Sequence, residues 1–549
     1  MNRPTDFTAE IRTGGKTYIV VDNYSCEVFS ARLKKSKERI TLEIEPFNEM
    51  MFDSICIRTT LVTDYEDKLF FNGYQSWTDS REYDSDDKMR GLNGIPRSQV
   101  RKYNFDKYGD YNFVKYPNLP GELHGFSYCY VRKDKEYLLI GSLSERNGFT
   151  VISYSAAQEE LTLRLDCEGA AYGEHFTALD IAMLEGGEDT VFDRYFELMG
   201  VKKPDVLPLS GYTSWYRHYQ DIAEYKLLHD LKALAKSNTC ADIFQIDDGW
   251  QTAVGDWLST DLRKIPDGLA PIADEIHSRD LLAGLWLAPF VCERDSDIFR
   301  TKSEWLLKDK TGEPIPAGCN WSGAYVLNFY VPEVREYLKR VFKTVLDEWG
   351  FDFVKLDFLY AVCEVPQNGR SRGQIMCEAM DFLRECVGDK LLLACGVPLA
   401  PAFGKADYCR IGCDVGLDWN DSRLMQMTHR ERVSTKNSML NTIFRRQLDG
   451  RAFLNDPDVY LLRDDDLKLL HCQKQSLAVI NHLCGSVYFT SDDVSAYSSK
   501  AQKILSAAAK MKRAKVISAE MIGSSVEITI RLGEKQKTFR LLKDGRLSD

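Results

Sequence analysis

The stretch 351-FDFVKLDFLY-360 decides the fold. Its apolar run, Phe351, Phe353, Val354, Leu356 and Phe358, is the pattern of a parallel strand buried on both faces. Lys355 and Asp357 are two apart, so on a strand their side chains share one side. A cation and an anion together at the C-terminal end of a buried strand point to a catalytic site. The plainer alternative is an ion pair that only holds the strand end.

Strand-like and helical runs alternate on both sides of this stretch. Upstream lie SGYTSWY (210–216), DIFQIDDGW (242–250), LLAGLWLAPF (281–290) and YVLNFY (325–330). The patterns DIAEYKLLHDLKALAKS, LAPIADEIHSR and PEVREYLKRVFKTVLDEWG between them are helical, and Pro332 sits where a first helical turn tolerates proline. Downstream come a helix near GQIMCEAMDFLRECVG and the strands LLLACGVP (391–398), DYCRIGCDV (407–415) and AFLNDPDV (452–459), the last of the series. Eight strands alternating with helices over residues 206–496 predict a central (β/α)8 TIM barrel.

The flanks have a different grammar. Residues 1–190 carry short β-rich runs such as KTYIVV, RITLEIEPF, YLLIGSLS and LTLRLDCEG, which predict an N-terminal β-sandwich. Within it, FFNGYQSWTDSREY (70–83) is a turn rich in aromatics. Trp77 either packs a surface loop or stacks on a ligand in the neighbouring domain, and HGFSY (124–128) belongs to the same edge. Residues 500–549, with KVISAEMIG, SVEITIRLG and KTFRLLK, predict a small C-terminal β domain. The chain thus reads as multidomain α/β and β.

Composition narrows the class. With 44% hydrophobic residues and a mean hydropathy of -0.33, the chain is that of a soluble globular protein. A net charge of -11 argues against a nucleic-acid partner. The 15 cysteines lack CxxC spacing, and the N-terminus MNRPTDFTAE lacks a signal-peptide apolar core, so a cytoplasmic location with reduced thiols is expected. No run approaches the roughly 18 apolar residues of a membrane span, so no membrane partner is expected.

Polar residues at the C-terminal ends of barrel strands are the functional ones. In order they are Trp215; Asp247 and Asp248; Trp286; Asn328; Lys355 and Asp357; Cys395; Arg410 and Asp414; Asp456 and Asp458. A ring of carboxylates and indoles with two cations suits a neutral polyhydroxylated ligand better than a phosphate, which calls for more Lys and Arg or a Gly-rich loop. HExxH is absent and no His pair has ligand spacing at these ends, so a metal is not expected, although Asp247 and Asp248 leave a Mg²⁺ site open. Two carboxylates from different strands can divide the labour of glycosidic cleavage. Asp357, beside Lys355, suits the nucleophile, and Asp414, beyond Arg410, suits the acid/base.

GYTSWY, QIDDGWQ, GLWLAPF, VKLDF, LLACGVP, RIGCD and LNDPD, in this order, resemble the retaining α-galactosidases of glycoside hydrolase family 36. NGYQSW and the small C-terminal β domain fit the same family. The resemblance implies double displacement on a terminal α-linked galactose through a covalent glycosyl-Asp intermediate. Asp357 would be the nucleophile and Asp414 the acid/base. Asp247 and Asp248 would hold the O4 and O6 hydroxyls. Lys355, Cys395, Gly396 and Arg410 would line the sugar near O2, O3 and the catalytic carboxylates, and Trp286 with Trp77 would wall the subsite. The resemblance implies no cofactor, and a small oligosaccharide of melibiose or raffinose type as substrate. One departure stands out: Cys413 precedes Asp414, where relatives often have Pro. An α-N-acetylgalactosaminidase and an α-galactosyl transglycosylase use the same scaffold, and a non-catalytic carbohydrate-binding protein is the reading from another class. Oligomeric state is not encoded in any of these motifs.

Overall fold

A computed structural model describes residues 3–237, 241–511 and 514–548. Its centre is a nine-membered, all-parallel sheet. Eight barrel strands account for it: β1 (Leu209–Thr213), β2 (Ile243–Ile246), β3 (Leu282–Leu287), β4 (Phe353–Leu356), β5 (Leu391–Ala394), β6 (Tyr408–Arg410), β7 (Leu454–Asp456) and β8 (Val487–Thr490). The ninth member, Val459–Tyr460, is the continuation of β7 after a break at Pro457 and Asp458. Proline cannot donate to a ladder, and Asp458 has a φ of 76°, so the strand steps sideways here. Its first half pairs with β6 and its second with β8, which closes the ring. The (β/α)8 barrel expected from the sequence is borne out.

Two strand assignments need correction. YVLNFY supplies no barrel strand. Ala324–Val326 instead pairs antiparallel with Val291–Glu293 and Pro316–Gly318 in a three-stranded excursion between β3 and β4. The run is too short to tell a parallel strand from an antiparallel one by its apolar residues. Asn328 is therefore not at a barrel strand end; its Oδ1 accepts from its neighbour Tyr330 N at 3.0 Å. The true eighth strand is Val487–Thr490, so AFLNDPDV is the seventh and not the last.

β4 forms as its sequence dictates, since all of Phe353–Leu356 is buried. The following helix, Arg372–Val387, starts at a capping box in which Ser371 Oγ accepts from Gln374 N and Gln374 Oε1 accepts from Ser371 N. Pro332 opens the helix Pro332–Lys343, as expected.

The N-terminal region is two antiparallel sheets of six and eight strands packed face to face. The larger sheet is covered on both sides, and its side chains alternate accordingly. Leu69, Phe71, Cys129, Val131, Leu138 and Ile140 enter the sandwich core, while Phe70, Tyr128, Tyr130 and Leu139 enter the core shared with the barrel. Each such burial contributes about 1.5–3 kcal/mol, so the sandwich is fixed on the barrel by a continuous apolar layer. Residues 515–548 form a four-stranded antiparallel sheet whose buried side chains join the barrel core. Among the described residues, no helix is long and apolar enough to cross a membrane, and the described cysteines are free thiols.

Candidate active site

The loop 72–80 leaves the sandwich and inserts into the barrel mouth. Its backbone polar groups are buried there and must find partners. Ser76 N donates to Val397 O at 2.9 Å, and Ser80 N to Asn441 Oδ1 at 2.8 Å. The fully buried Arg445 supplies several more. Its guanidinium donates to Asn72 Oδ1 (3.0 Å), Ser76 O (2.7 Å), Gly73 O (3.4 Å) and Gln75 O (3.3 Å), and also to Ile411 O (2.8 Å) beyond β6. No carboxylate pairs with it in these bonds, and burial lowers its pKa to about 10. The result presents Trp77 to the barrel, edge-on to Phe358 at 5.2 Å and Tyr360 at 5.6 Å. Gly396 permits this approach: it has a φ of 55°, and a Cβ there would lie 2.9 Å from the Trp77 ring.

A cavity of about 630 Å³ opens at the C-terminal ends of the strands. Trp77, Trp215, Asp247, Asp248, Trp286, Lys355, Asp357 and Asp414 all line it, so residues spread over more than 300 positions of sequence converge there. Cys395, Gly396 and Arg410 do not face this cavity; they sit behind its wall as buried support. Asp456 and Asp458 are buried as well.

Asp357 stands one residue past β4. Its Oδ2 accepts from Trp286 Nε1 at 3.1 Å, and its Oδ1 from Phe358 N at 2.9 Å. Phe358 takes a left-handed φ of 54° to aim that N–H back. Lys355 Nζ is 3.9 Å from Asp357 Oδ2 but 2.9 Å from Asp247 Oδ2, so the expected Lys–Asp pair is in fact a shared cation between β2 and β4. Burial opposes the ammonium charge, yet Asp247 and Asp357 outweigh it and hold the Lys355 pKa above its ordinary range.

Asp247 Oδ2 also accepts from Thr213 Oγ1 at 3.2 Å and Gln245 Nε2 at 2.7 Å. Asp248 accepts from Gln251 Nε2 at 2.6 Å, Gln220 Nε2 at 2.9 Å and Trp321 Nε1 at 2.8 Å; burial nevertheless raises its pKa. Among the described residues there is no group of three or more His, Cys, Asp or Glu placed to hold a metal ion.

Asp414 has a contrasting environment. Burial against the cavity wall, followed by the negative charge of Asp458, lifts its pKa to about 7, although Arg410 and Lys355 pull the other way. Its side chain keeps 39% of its surface accessible, but that surface looks into the walled cavity. Arg410 itself is held by Asp456 Oδ2 at 2.9 Å and Asp458 Oδ1 at 3.0 Å. Asp458 Oδ2 also accepts from Val415 N at 2.8 Å and from Tyr216 Oη, which fixes the backbone next to Asp414. The pairing of a donor-held Asp357 with a proton-retaining Asp414 in one cavity is an arrangement that can divide acid and base work.

Sequence reasoning missed several wall residues. Trp321, from the excursion between β3 and β4, binds Asp248 and lies against Trp286 and Phe358. Phe105 and Tyr108 reach over from the sandwich, and Asn420, His429, Glu431 and Arg432 come from the long segment after β6. The lone Trp in the polar turn CNWSG (319–323) was a readable signal; the others carried none.

Barrel, inserted loop and carboxylate ring together resemble the sites of the carbohydrate-active glycoside hydrolase class. Within that class the resemblance to the α-galactosidases of glycoside hydrolase family 36 is borne out. Residues 208–383 match the family model described as Melibiase. Over 229 residues the chain is 33% identical to the α-galactosidase of Escherichia coli, covering 39% of this chain and 28% of that protein. It is 26% identical over 162 residues to α-galactosidase Mel36A of Lactobacillus acidophilus, covering 28% and 21%. These matched regions span less than a third of the curated relatives' own length. The α-galactosidase TtGalA of Thermus thermophilus, solved with p-nitrophenyl α-D-galactopyranoside, superposes with a TM-score of 0.72 at 26% identity, covering 96% of this chain and 98% of that one. The α-galactosidase AgaA of Geobacillus stearothermophilus shares the fold at a TM-score of 0.61 and 12% identity, with 94% and 73% covered.

Proposed function

We propose that this chain is an exo-α-galactosidase that releases terminal α-linked galactose from small oligosaccharides with retention of configuration. Asp357 attacks the anomeric carbon and forms a covalent glycosyl ester. Asp414 protonates the departing oxygen, then takes a proton from the water that resolves the ester. Lys355 steadies Asp247 and Asp357 together, and Asp247 and Asp248 accept hydrogen bonds from the sugar hydroxyls. Trp77, Trp286 and Trp321 cover its apolar surfaces, while Cys395, Gly396 and Arg410 act from behind the wall. TtGalA, which matches over nearly the full chain, is also known in complex with stachyose.

The observation that carries this reading is the contrast between the two carboxyl groups. Asp357 is met by an indole N–H, a backbone N–H and a nearby ammonium. Asp414 instead keeps its proton up to about 7. That is the division a double displacement needs.

The test is a paired assay on aryl α-galactoside and aryl α-N-acetylgalactosaminide, with product analysis in the presence of sugar acceptors. Turnover of the galactoside with free galactose as product supports the proposal. Turnover of the N-acetylated substrate alone moves the specificity to α-N-acetylgalactosaminidase, dominant transfer makes the enzyme a transglycosylase, and binding without turnover overturns the enzymatic reading.

A further inference from the structure

The cavity extends well beyond the carboxylate floor, and its outer part contains an unfilled polar side chain. His429 is 6% exposed and lines the cavity, yet neither ring nitrogen makes a hydrogen bond within the protein. Its ring is wedged edge-on against Phe105 at 5.4 Å and Tyr108 at 6.4 Å, so it cannot simply turn to solvent. Burial lowers its pKa to about 4; the Phe105 carbonyl opposes this without reaching hydrogen-bonding geometry, and the Arg432 cation adds to it. At neutral pH the imidazole therefore offers one N–H donor and one bare acceptor. A hydroxyl, which both donates and accepts, is the group that fills such a pair.

The same ring borders a second cavity of about 390 Å³. Two further buried polar atoms without partners are found on its lining residues, Arg430 Nε and Asp79 Oδ1. Unmade hydrogen bonds on buried groups are costly; of these three residues His429 lines both cavities, and Arg430 and Asp79 line the second. The lining carries both cations (Arg81, Lys88, Arg90, Arg430 and Arg432) and anions (Asp79, Asp86 and Asp87).

We infer that His429, with Arg430 and Asp79 beyond it, forms a leaving-group subsite that reads the hydroxyls of a neutral saccharide on the far side of the scissile bond. The inference rests on the glycosidase reading above. It makes the identity of the leaving sugar, and not only the terminal galactose, a determinant of turnover.

The experiment compares kcat/KM on p-nitrophenyl α-galactoside, melibiose, raffinose and stachyose for the wild-type protein, H429F and H429Q, with circular dichroism to establish folding. Phe keeps the ring packing and loses both polar atoms; Gln restores a donor and an acceptor. The ratio of kcat/KM on raffinose to that on the aryl galactoside is expected to fall roughly three- to tenfold in H429F, mainly through KM, and to recover in part in H429Q. A parallel loss on both substrates, or an unchanged ratio in both variants, overturns the inference. Absence of any galactoside turnover by the wild-type protein would instead strike the proposed function itself.

Discussion

Arg410 Nη1 lies 2.9 Å from Asp414 Oδ1, but Arg410 is not Asp414's own counter-ion. The same guanidinium serves Asp456 at 2.9 Å and Asp458 at 3.0 Å. Burial is the main cause that raises the Asp414 pKa and the negative charge of Asp458 the next, and a cation shared by three carboxyl groups offsets them only in part. This is why its proton is held up to about 7.

A pH dependence follows. Asp414 must be protonated to assist departure, so kcat/KM on an oligosaccharide should fall on the alkaline side, with a limb near 7 and about tenfold per pH unit above it. Asp458→Asn removes a negative neighbour and should move that limb to lower pH. An alkaline limb that stays in place in this variant would contradict the electrostatic account.

The two catalytic roles predict different losses. Asp357→Asn should keep its melting temperature and lose about 10³-fold or more of its turnover on every substrate, because the covalent step is gone. Asp414→Ala should spare activated aryl galactosides far more than melibiose, since a good leaving group needs little protonation. Steady-state kinetics on both substrate types check this; equal losses for Asp414→Ala would remove it from the acid/base role.

Lys355 is 7% exposed and holds Asp247 and Asp357 at once. Lys355→Met leaves two buried carboxyl groups without their cation and should cost about 3–5 kcal/mol of stability. Urea unfolding measures it. A loss within about 0.5 kcal/mol would show that the pair is as weakly coupled as a surface one.

Arg445 ties the sandwich loop to the barrel. Arg445→Met orphans Asn72 Oδ1 and the carbonyl oxygens of Gly73, Ser76 and Ile411, while Gln75 O keeps Thr78 N, and unfilled buried acceptors cost about 1–3 kcal/mol each before relaxation. With the loop loosened, KM should rise more than kcat falls, and Trp77→Ala should reproduce the KM effect without the stability loss. An unchanged KM in Trp77→Ala would exclude it from the substrate wall.

Much of this was legible in the sequence. The βα rhythm from residue 206 gave the barrel, because parallel strands buried on both faces are continuously apolar and stand out between amphipathic helices. Strand-end carboxylates such as Asp247, Asp357 and Asp414 were legible because a lone charge ending an apolar run has few other uses. YVLNFY misled because an apolar run does not say which sheet it joins. VYFT at 487–490 passed unnoticed because it is four residues long and only Gly485 and Ser486 separate it from the preceding helix. Arg445 and His429 were invisible for a different reason. Arg445 lies just beyond the helix Thr435–Phe444 and its importance lies in acceptors more than 360 positions away. The value of His429 lies in bonds it does not make, which only a fold can reveal.

The most direct test of the central claim is time-resolved proton NMR of the anomer first released from an aryl α-galactoside. The account predicts α-galactose first, with β-galactose appearing only at the rate of mutarotation, because two displacements at Asp357 restore the original configuration. First release of β-galactose would mean a single displacement by water, and Asp357 would lose its place as nucleophile.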